Sequence, residues 1–178
     1  MKVIGLDLSI NSTGICVKDD NKYVYFIVLP KLTKKQMSLN HPDLKYLVYE
    51  KVESGETYEE KEYSKSQSIY NIAKQILRVI KAYKPDYAVI EGISYGSGSG
   101  HVADLAGLNF IVRSMLLEQK IPFKIVSPMT NKKFAVGNGG AAKDVIVDSF
   151  VHCQPQFKNI QVKIDDIADA FFLANNSD

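Results

Sequence analysis

The sequence has few of the residues that build soft metal sites or disulfide frameworks. Its 178 residues include two cysteines, three histidines and no tryptophan. Cys16 and Cys153 lie far apart and match no metal-binding spacing. Both lie in apolar stretches, so we expect buried, reduced thiols, and this cysteine usage favours a cytoplasmic protein.

Long apolar runs and a strong net charge are also missing. The amino-terminal run MKVIGL is interrupted by Asp7, so we expect neither a signal peptide nor a membrane span. The formal net charge of +2 does not by itself indicate a nucleic-acid-binding protein, because phosphate contacts depend on local clustering of charge. An apolar fraction of 46% is present, which suffices for the core of one domain spanning residues 1–178.

Apolar patterning predicts a mixed α/β fold. Runs rich in β-branched residues at 2–9, 15–20 and 21–29 predict three strands joined by short turns, which is typical of an antiparallel meander. Further strands are expected at 87–91 and 123–128. Helices are expected at 66–83, 102–117, 141–151 and 162–174. A meander that leads into strands with helical crossovers predicts a mixed sheet with helices on its faces.

Three segments do not fit regular elements of the core. The stretches 92–101 and 129–140 are rich in glycine and are predicted to be loops. Residues 30–65 are polar and cannot build a core of their own, so we interpret them as an insertion or flap within the domain. Inside this segment, residues 44–52 alternate in the way an edge strand does.

Acidic residues end two of the predicted buried strands. Asp7 lies near the end of the first strand, and Glu91 is the last residue of the strand at 87–91. If these strands are parallel neighbours, both carboxylates lie at one end of the sheet, where α/β folds place their sites. A lone acid at a strand end is more often a turn or cap residue, but burying two beside apolar runs is costly without a compensating cation.

The last predicted helix carries Asp165, Asp166 and Asp169 beside a strongly apolar face. Two interpretations of this segment alone stay open. The aspartates form a solvated acidic face that the helix dipole favours, or Asp166 and Asp169 project from adjacent turns toward a shared metal pair.

Four segments occur together in a recognisable order: GLDLSINSTG, VIEGISYG, NKKFAVGNGGAAK and DIADAFFLA. In this order they resemble the RuvC-type Holliday-junction resolvases of the retroviral-integrase/ribonuclease H superfamily. The third segment is the most specific of the four. The resemblance covers the chain except for about residues 30–65, which suggests a phage-type or remote member, and it implies a ribonuclease H-like sheet.

The resemblance implies a catalytic metal site. By it, Asp7, Glu91, Asp166 and Asp169 are the metal-binding catalytic carboxylates, whereas Asp165 has no counterpart and is either an N-terminal helix residue or an accessory ligand. An oxygen donor set suits two Mg²⁺ ions, with Mn²⁺ as a substitute. The implied reaction is phosphodiester hydrolysis by two metals, leaving 5′-phosphate and 3′-hydroxyl ends.

The glycine-rich third segment is predicted to bind DNA. By the resemblance, Lys132 and Lys143 match two basic positions that flank this segment, and Lys133 adds a third charge. Gly137 and Gly139 would let the backbone approach a phosphate closely.

The aromatic residue that helps the family to distort the junction has no direct match here. Its position holds Ser94, and Tyr95 follows as the candidate replacement. The family also implies a homodimer acting on branched DNA, because resolving a four-way junction needs two symmetric cuts. No membrane partner and no nucleotide cofactor are expected.

Three other functions are alternatives to junction cleavage, and one of them, a non-catalytic DNA-binding relative, is disfavoured by the presence of all four carboxylates. A ribonuclease H-like nuclease acting on RNA–DNA hybrids or on branched DNA more generally stays within the superfamily. The hairpin LDLSINSTG also resembles the phosphate-binding hairpin of actin-like ATPases and sugar kinases, but that fold needs a second such domain, for which this chain is too short.

Overall fold

A single six-stranded sheet forms the centre of the protein. The computed structural model describes residues 1–93 and 99–177, with side chains in the third helix described from residue 102. The strand order is β4-β3-β2-β1-β5-β6. The strands are β1 (Lys2–Asp7), β2 (Thr13–Asp19), β3 (Lys22–Leu29), β4 (Leu44–Val48), β5 (Tyr87–Glu91) and β6 (Phe123–Val126). β1, β2 and β3 pair antiparallel and the remaining pairs are parallel, which confirms the predicted mixed sheet.

Six α-helices flank the sheet in the described part of the chain. They are α1 (Lys34–Ser38), α2 (Tyr58–Tyr83), α3 (Ser99–Glu118), α4 (Pro128–Val136), α5 (Lys143–Cys153) and α6 (Asp165–Asn175). A 3₁₀ turn at Pro155–Phe157 follows α5. None of these described helices combines the length and apolar character needed to cross a membrane.

Side-chain alternation along the strands divides the core into two layers. Ile4 and Leu6 of β1 point toward α2 and α3, whereas Val3 of β1 and Val89 of β5 point toward α5 and α6. Since side chains two residues apart in a strand share a face, Asp7 follows Val3 and Glu91 follows Val89. The alternation therefore turns both strand-end carboxylates toward α6.

The predicted loop at 129–140 is wrong over most of its length, because residues 128–136 form α4. Ser127 caps this helix by accepting a hydrogen bond from the Thr130 backbone N–H, and Pro128 occupies the first helical position. Gly137 ends α4 with φ of +77°, which glycine adopts without steric cost. A serine–proline start and a glycine stop were present in the sequence, and the glycine-rich continuation obscured them.

Residues 30–65 contribute to the sheet and to a long helix. Part of the predicted edge strand forms β4, which pairs with β3 at the edge of the sheet. α2 begins at Tyr58, eight residues before the predicted start, because Thr57 and Glu60 form a capping box at its N-terminus. Whether the segment is an insertion relative to the family stays a prediction.

The two cysteines differ from each other in exposure. Cys16 on β2 is buried and unpaired, as predicted, and burial raises the pKa of its thiol. The prediction that Cys153 is also buried is wrong, because this residue is the last of α5 and faces solvent.

Two glycines let α6 lie directly against the sheet. A Cβ at Gly5 of β1 would come within 2.6 Å of the Ala174 backbone nitrogen and would also overlap the Ala170 carbonyl. A Cβ at Gly14 of β2 would overlap the Asp166 carbonyl. Backbone atoms cannot rotate away as side chains do, so α6 reaches this position only above residues without a side chain.

We expect Gly14→Ala to destabilise the protein by about 2–3 kcal/mol, because the added methyl group must push the start of α6 off the sheet. Thermal or urea denaturation, monitored by circular dichroism, measures the change.

Gly107→Ala is the matched control. Gly107 lies within α3, and a Cβ there meets no atom within 4 Å. Alanine at this helical position should stabilise the protein by up to about 1 kcal/mol. Equal effects of the two substitutions would contradict the close-approach argument.

Candidate active site

Four carboxylates meet at one end of the sheet. β1 and β5 are parallel neighbours with Leu6 opposite Ile90, so Asp7 and Glu91 lie side by side where the two strands end. α6 packs across β1 and β2, and it brings Asp166 and Asp169 into electrostatic contact with Asp7. The predicted convergence of these four side chains is therefore confirmed, whereas their roles as metal ligands stay a prediction.

The strand-end pair is strongly perturbed. Burial raises the pKa of Asp7 well above its usual value, and the neighbouring carboxylates Glu91, Asp169 and Asp166 raise it further. Burial and Asp169 likewise raise the pKa of Glu91 to about 7. A hydrogen bond links the two carboxyl groups, and it favours the proton on Asp7. Without a cation, protons offset part of the repulsion at this site.

The helix pair is perturbed in the same direction. Burial raises the pKa of Asp169 to about 6 against the opposing effect of Lys143. Burial also raises the pKa of Asp166, although a short hydrogen bond from the Ser12 hydroxyl stabilises its ionised form. Ser12 belongs to the turn between β1 and β2, and sequence reasoning missed its role because the two residues are 154 positions apart.

Asp165 differs from the other three aspartates. It is 5% exposed, so the solvated acidic face weighed for this helix is wrong. Its Oδ2 accepts a hydrogen bond from the Lys143 ammonium and forms an ion pair with the Lys163 ammonium, each at 2.9 Å. Burial raises the pKa of Asp165, but the bonds from Lys163 and Lys143 outweigh this effect and the net pKa is lowered. Lys163 was not singled out from the sequence.

Two buried asparagines hold the backbone of the acidic residues. Asn109 on α3 donates to the Glu91 carbonyl, and Asn131 on α4 donates to the Asp169 carbonyl, both at 3.2 Å. Each asparagine is 1% exposed. These bonds connect α3 and α4 to the site, so the helix that replaced the predicted loop has a structural task there.

The predicted DNA-binding residues fall into two groups. Lys132 and Lys143 lie near the carboxylates, since the charges of both lysines lower the pKa of Glu91 and Asp169 against the effect of burial. The Lys132 ammonium also donates to the Ala141 carbonyl at 3.0 Å. Lys133 is exposed on α4 and its backbone carbonyl binds Gly137, the C-cap.

The two predicted glycines have structural reasons of their own. Gly137 ends α4, and a Cβ at Gly139 would overlap Met129 at the start of that helix. Their contact with phosphate stays a prediction. Ser94, Tyr95 and most of the GSGSG stretch, together with the side chain of His101, lie outside the described residues.

The site suits hard divalent cations by its donor chemistry. All four converging side chains are carboxylates, which are the ligands that Mg²⁺ and Mn²⁺ prefer. In the part of the chain that the structure describes, no three acidic, histidine or cysteine side chains are arranged so that they could together hold one metal ion. Mg²⁺ usually keeps several waters and binds through one or two carboxylates together with substrate phosphates, so an open acidic site fits it.

An acidic cluster at the ends of β1 and β5, with lysines at its rim, defines a class of metal-dependent enzymes that act on phosphate esters. The family model of the crossover junction endodeoxyribonuclease RuvC matches residues 44–176. The chain belongs to this family. Nucleases of the family depend on divalent metal ions. The match begins at residue 44, within the segment 30–65.

One curated relative and two solved structures are similar to this chain. A crossover junction endodeoxyribonuclease RuvC from Brachyspira hyodysenteriae is 30% identical over 134 residues, which cover 74% of this chain and 80% of the relative. Thermus thermophilus RuvC, solved in complex with a Holliday junction substrate, has a TM-score of 0.64 at 18% identity over 98% of this chain and 90% of that chain. Fowlpox virus resolvase, solved with its substrate Holliday junction DNA, has a TM-score of 0.53 at 13% identity over 98% of this chain and 95% of that chain. The predicted ribonuclease H-like fold is confirmed.

We expect the metal-free protein to lose stability as the pH rises from about 5 to about 8. Carboxyl groups with raised pKa values keep protons in the folded state that the unfolded chain has released, and this contribution is lost as the pH passes about 6 for Asp169 and about 7 for Glu91. Thermal melting in the presence of a chelator measures the trend. The Glu91→Gln variant should show a shallower pH dependence, whereas Glu118→Gln, on the exposed end of α3, should not.

Divalent cations should reverse this trend. Adding Mg²⁺ or Mn²⁺ at pH 8 should raise the melting temperature, because a ligand that binds the folded state stabilises it, and the rise should be smaller at pH 5, where protons compete. If neither Mg²⁺ nor Mn²⁺ changed the melting temperature at pH 8, this result would contradict cation binding by the four carboxylates.

Proposed function

We propose that this protein is a metal-dependent endonuclease that cleaves four-way DNA junctions by phosphodiester hydrolysis. The observation that carries the proposal is the convergence of Asp7, Glu91, Asp166 and Asp169 at one end of the sheet, in a chain of the RuvC family. The junction as substrate is supported by the printed names of the relatives and by the Holliday junction complexes of two similar structures.

The chain's own residues have distinct tasks in this reaction. Asp7, on the central strand β1, has Glu91, Asp166 and Asp169 as carboxylate neighbours, and it would hold divalent cations together with them. Glu91 adds a second carboxylate from the strands, and Asp169 adds one from α6. The Ser12 hydroxyl orients the Asp166 carboxylate by donating a hydrogen bond to it. When two Mg²⁺ ions are bound they supply Lewis-acid activation of water and of the scissile phosphate.

Lysine side chains at the rim of the site contact the negatively charged backbone of the DNA. Lys132 is fixed by its bond to the Ala141 carbonyl, and Lys143 extends from the start of α5. Both side chains offer N–H donors to phosphate oxygens. In the hydrolysis a bond forms between the water oxygen and phosphorus, and the bond from phosphorus to the 3′-oxygen breaks. The departing 3′-oxygen takes up a proton, which leaves a 3′-hydroxyl and a 5′-phosphate.

The actin-like interpretation of the first hairpin finds no support in its hydrogen bonds. The Thr13 hydroxyl donates to the Ser9 carbonyl at 2.7 Å and accepts from the Ser9 backbone N–H at 3.0 Å. The Ser12 hydroxyl is bound to Asp166. The Ser12 and Thr13 hydroxyls therefore serve the acidic site and the fold and are not presented to a nucleotide phosphate.

A homodimer is part of the proposal, because two symmetric cuts need two sites. Phe110 and Leu117 are two turns apart on one face of α3, and they are 61% and 67% exposed. Such an exposed apolar pair suits a surface that a second copy covers. The two unpaired cysteines are compatible with a reducing cytoplasm, where we place the protein. Light scattering of the purified protein tests the dimer.

We expect Asp7→Asn to reduce cleavage of a four-way junction by at least about a thousandfold, because the proposed cation site would lose the carboxylate that lies beside the other three. The measurement compares a labelled four-way junction with a linear duplex and an RNA–DNA hybrid, each with Mg²⁺ and with a chelator. Asp7→Asn should still bind the junction.

Glu118→Gln removes a carboxylate of the same charge at the exposed end of α3 and should cleave as the wild type does. Normal cleavage by Asp7→Asn would refute the site. Preferential cleavage of the hybrid by the wild type would instead assign the protein to the ribonuclease H-like alternative.

A further inference from the structure

Asp165 forms two ion pairs with lysines, and a site made of four metal-binding carboxylates does not need these ion pairs. The buried Oδ2 of Asp165 receives the Nζ atoms of Lys143 and Lys163 at 2.9 Å each, whereas Oδ1 is buried without a hydrogen-bond partner. Lys143 begins α5 and Lys163 precedes α6, so the two lysines approach the same oxygen from different elements. We call these three residues the lysine clamp.

The lysine clamp faces solvent beside the acidic site. The Lys143 and Lys163 side chains are 67% and 75% exposed, and that of Asp165 is 7% exposed. All three line an open groove of about 570 Å³ between α5 and the segment that leads into α6. Asp166, the next residue of α6, carries one of the four site carboxylates, so the clamp and the acidic site share the start of this helix.

The charges of the clamp do not cancel. Two ammonium groups on one carboxylate leave a net charge of +1 on these three residues, while Lys158, Asp144 and Asp148 also line the groove, which has three basic and three acidic side chains. Each ammonium also has three N–H donors, of which the bond to Asp165 uses one. The two lysines offset the cost of burying the Asp165 carboxylate, since they lower its pKa against the effect of burial. The arrangement also restricts where two flexible, positively charged side chains point.

A phosphate is the chemical group that fits these free donors. Its oxygens accept several N–H bonds at once, and the DNA backbone presents a second phosphate one nucleotide from any that is being cut. We infer that Lys143 and Lys163, positioned by Asp165, form a binding site for a DNA phosphate next to the scissile one. Lys163 is then a DNA-binding residue of this protein, and Asp165 is a positioning residue. This inference rests on the proposed cleavage of junction DNA.

A structural role for Asp165 alone would have different consequences. If Asp165 merely occupied a buried position, then its loss would lower stability and leave the reaction of the folded fraction unchanged. If it merely added negative charge near the DNA, then Asp165→Asn would strengthen DNA binding and steepen its dependence on salt. Positioning predicts instead slower cleavage that depends on the presence of the two lysines.

The first experiment tests Lys163 as a phosphate contact. Binding of a four-way junction is measured over a range of salt concentrations in the Asp7→Asn background, so that the DNA is not cut. Lys163→Gln should lower the slope of log affinity against log salt by about 1, which corresponds to one lost phosphate contact. Lys163→Arg should retain the slope.

Lys81→Gln is the control for net charge. Lys81 is exposed in the last turn of α2, at the end of the sheet that holds Asp86 and lies opposite the acidic site. This variant should leave the slope unchanged. If Lys163→Gln also leaves the slope unchanged, Lys163 does not contact phosphate and the inference is overturned.

The second experiment tests Asp165 as a positioning residue. In the otherwise wild-type chain, Asp165→Asn should slow cleavage at saturating junction and Mg²⁺ by about tenfold or more, because misplaced contacts near a reacting phosphate cost rate. In the Lys143→Gln, Lys163→Gln double variant the same substitution should have no further effect, since acting through the lysines makes the changes non-additive. Equal slowing in both backgrounds, or normal cleavage by Asp165→Asn, would overturn the positioning role.

The controls separate this inference from the function on which it rests. If the wild type cuts no junction with any divalent cation, the proposed function fails. If the wild type cuts and the salt slope or the double-variant test fails, the function stands and the lysine clamp has no part in it.

Discussion

The close packing of α6 against β1 and β2 is the contact on which the site depends. At Gly5 and Gly14 the helix backbone takes the space that a Cβ would fill. This approach sets Asp166 and Asp169 beside Asp7, which ends the neighbouring strand. A helix held one side-chain layer further out would leave the strand carboxylates and the helix carboxylates in separate sites. Two residues without side chains thus determine where four charged ones meet.

The same packing lowers the stability of the metal-free fold, because it gathers four carboxylates in a buried site. Burial and mutual repulsion raise the pKa values of Asp7, Glu91, Asp166 and Asp169, so the metal-free fold holds protons where the enzyme needs cations. Hydrogen bonds from Ser12, Asn109 and Asn131 fix the surrounding groups, which limits how far the carboxylates can separate to relieve the repulsion. Divalent cations bound at the proposed site would offset this repulsion.

The predictions from sequence succeeded where one local pattern controls the outcome. Short apolar runs rich in β-branched residues located β1, β2, β3 and β5, and the i, i+3, i+4 pattern located the core of α2. Asp7 and Glu91 were found because each ends an apolar strand. The predictions failed where composition conflicted with a short signal. The glycine-rich composition led to the prediction of a loop where α4 forms, although Ser127 and Pro128 start a helix there. The polar composition of residues 58–65 led to a predicted start of α2 that is eight residues too late.

Contacts between residues that lie far apart in the sequence could not be predicted from local sequence patterns. Asp165 looked like its two neighbours in sequence, yet it is buried against Lys143 and Lys163, whereas Asp166 binds Ser12. Helical periodicity gives the direction of each aspartate around the axis of α6, but it does not state which element lies in that direction.

The amino-acid sequence by itself determined the acidic residues, the strands that carry two of them and the kind of cation that an all-carboxylate set attracts. Tertiary structure alone decided that α6 lies on Gly5 and Gly14, that Asp165 holds two lysines, and that Lys163 belongs beside the site. The physical reason is the distance along the sequence over which each effect acts. Strand alternation and helix periodicity act over a few residues, whereas a shared cation site and a lysine clamp depend on which surfaces the packed sheet and helices bring together.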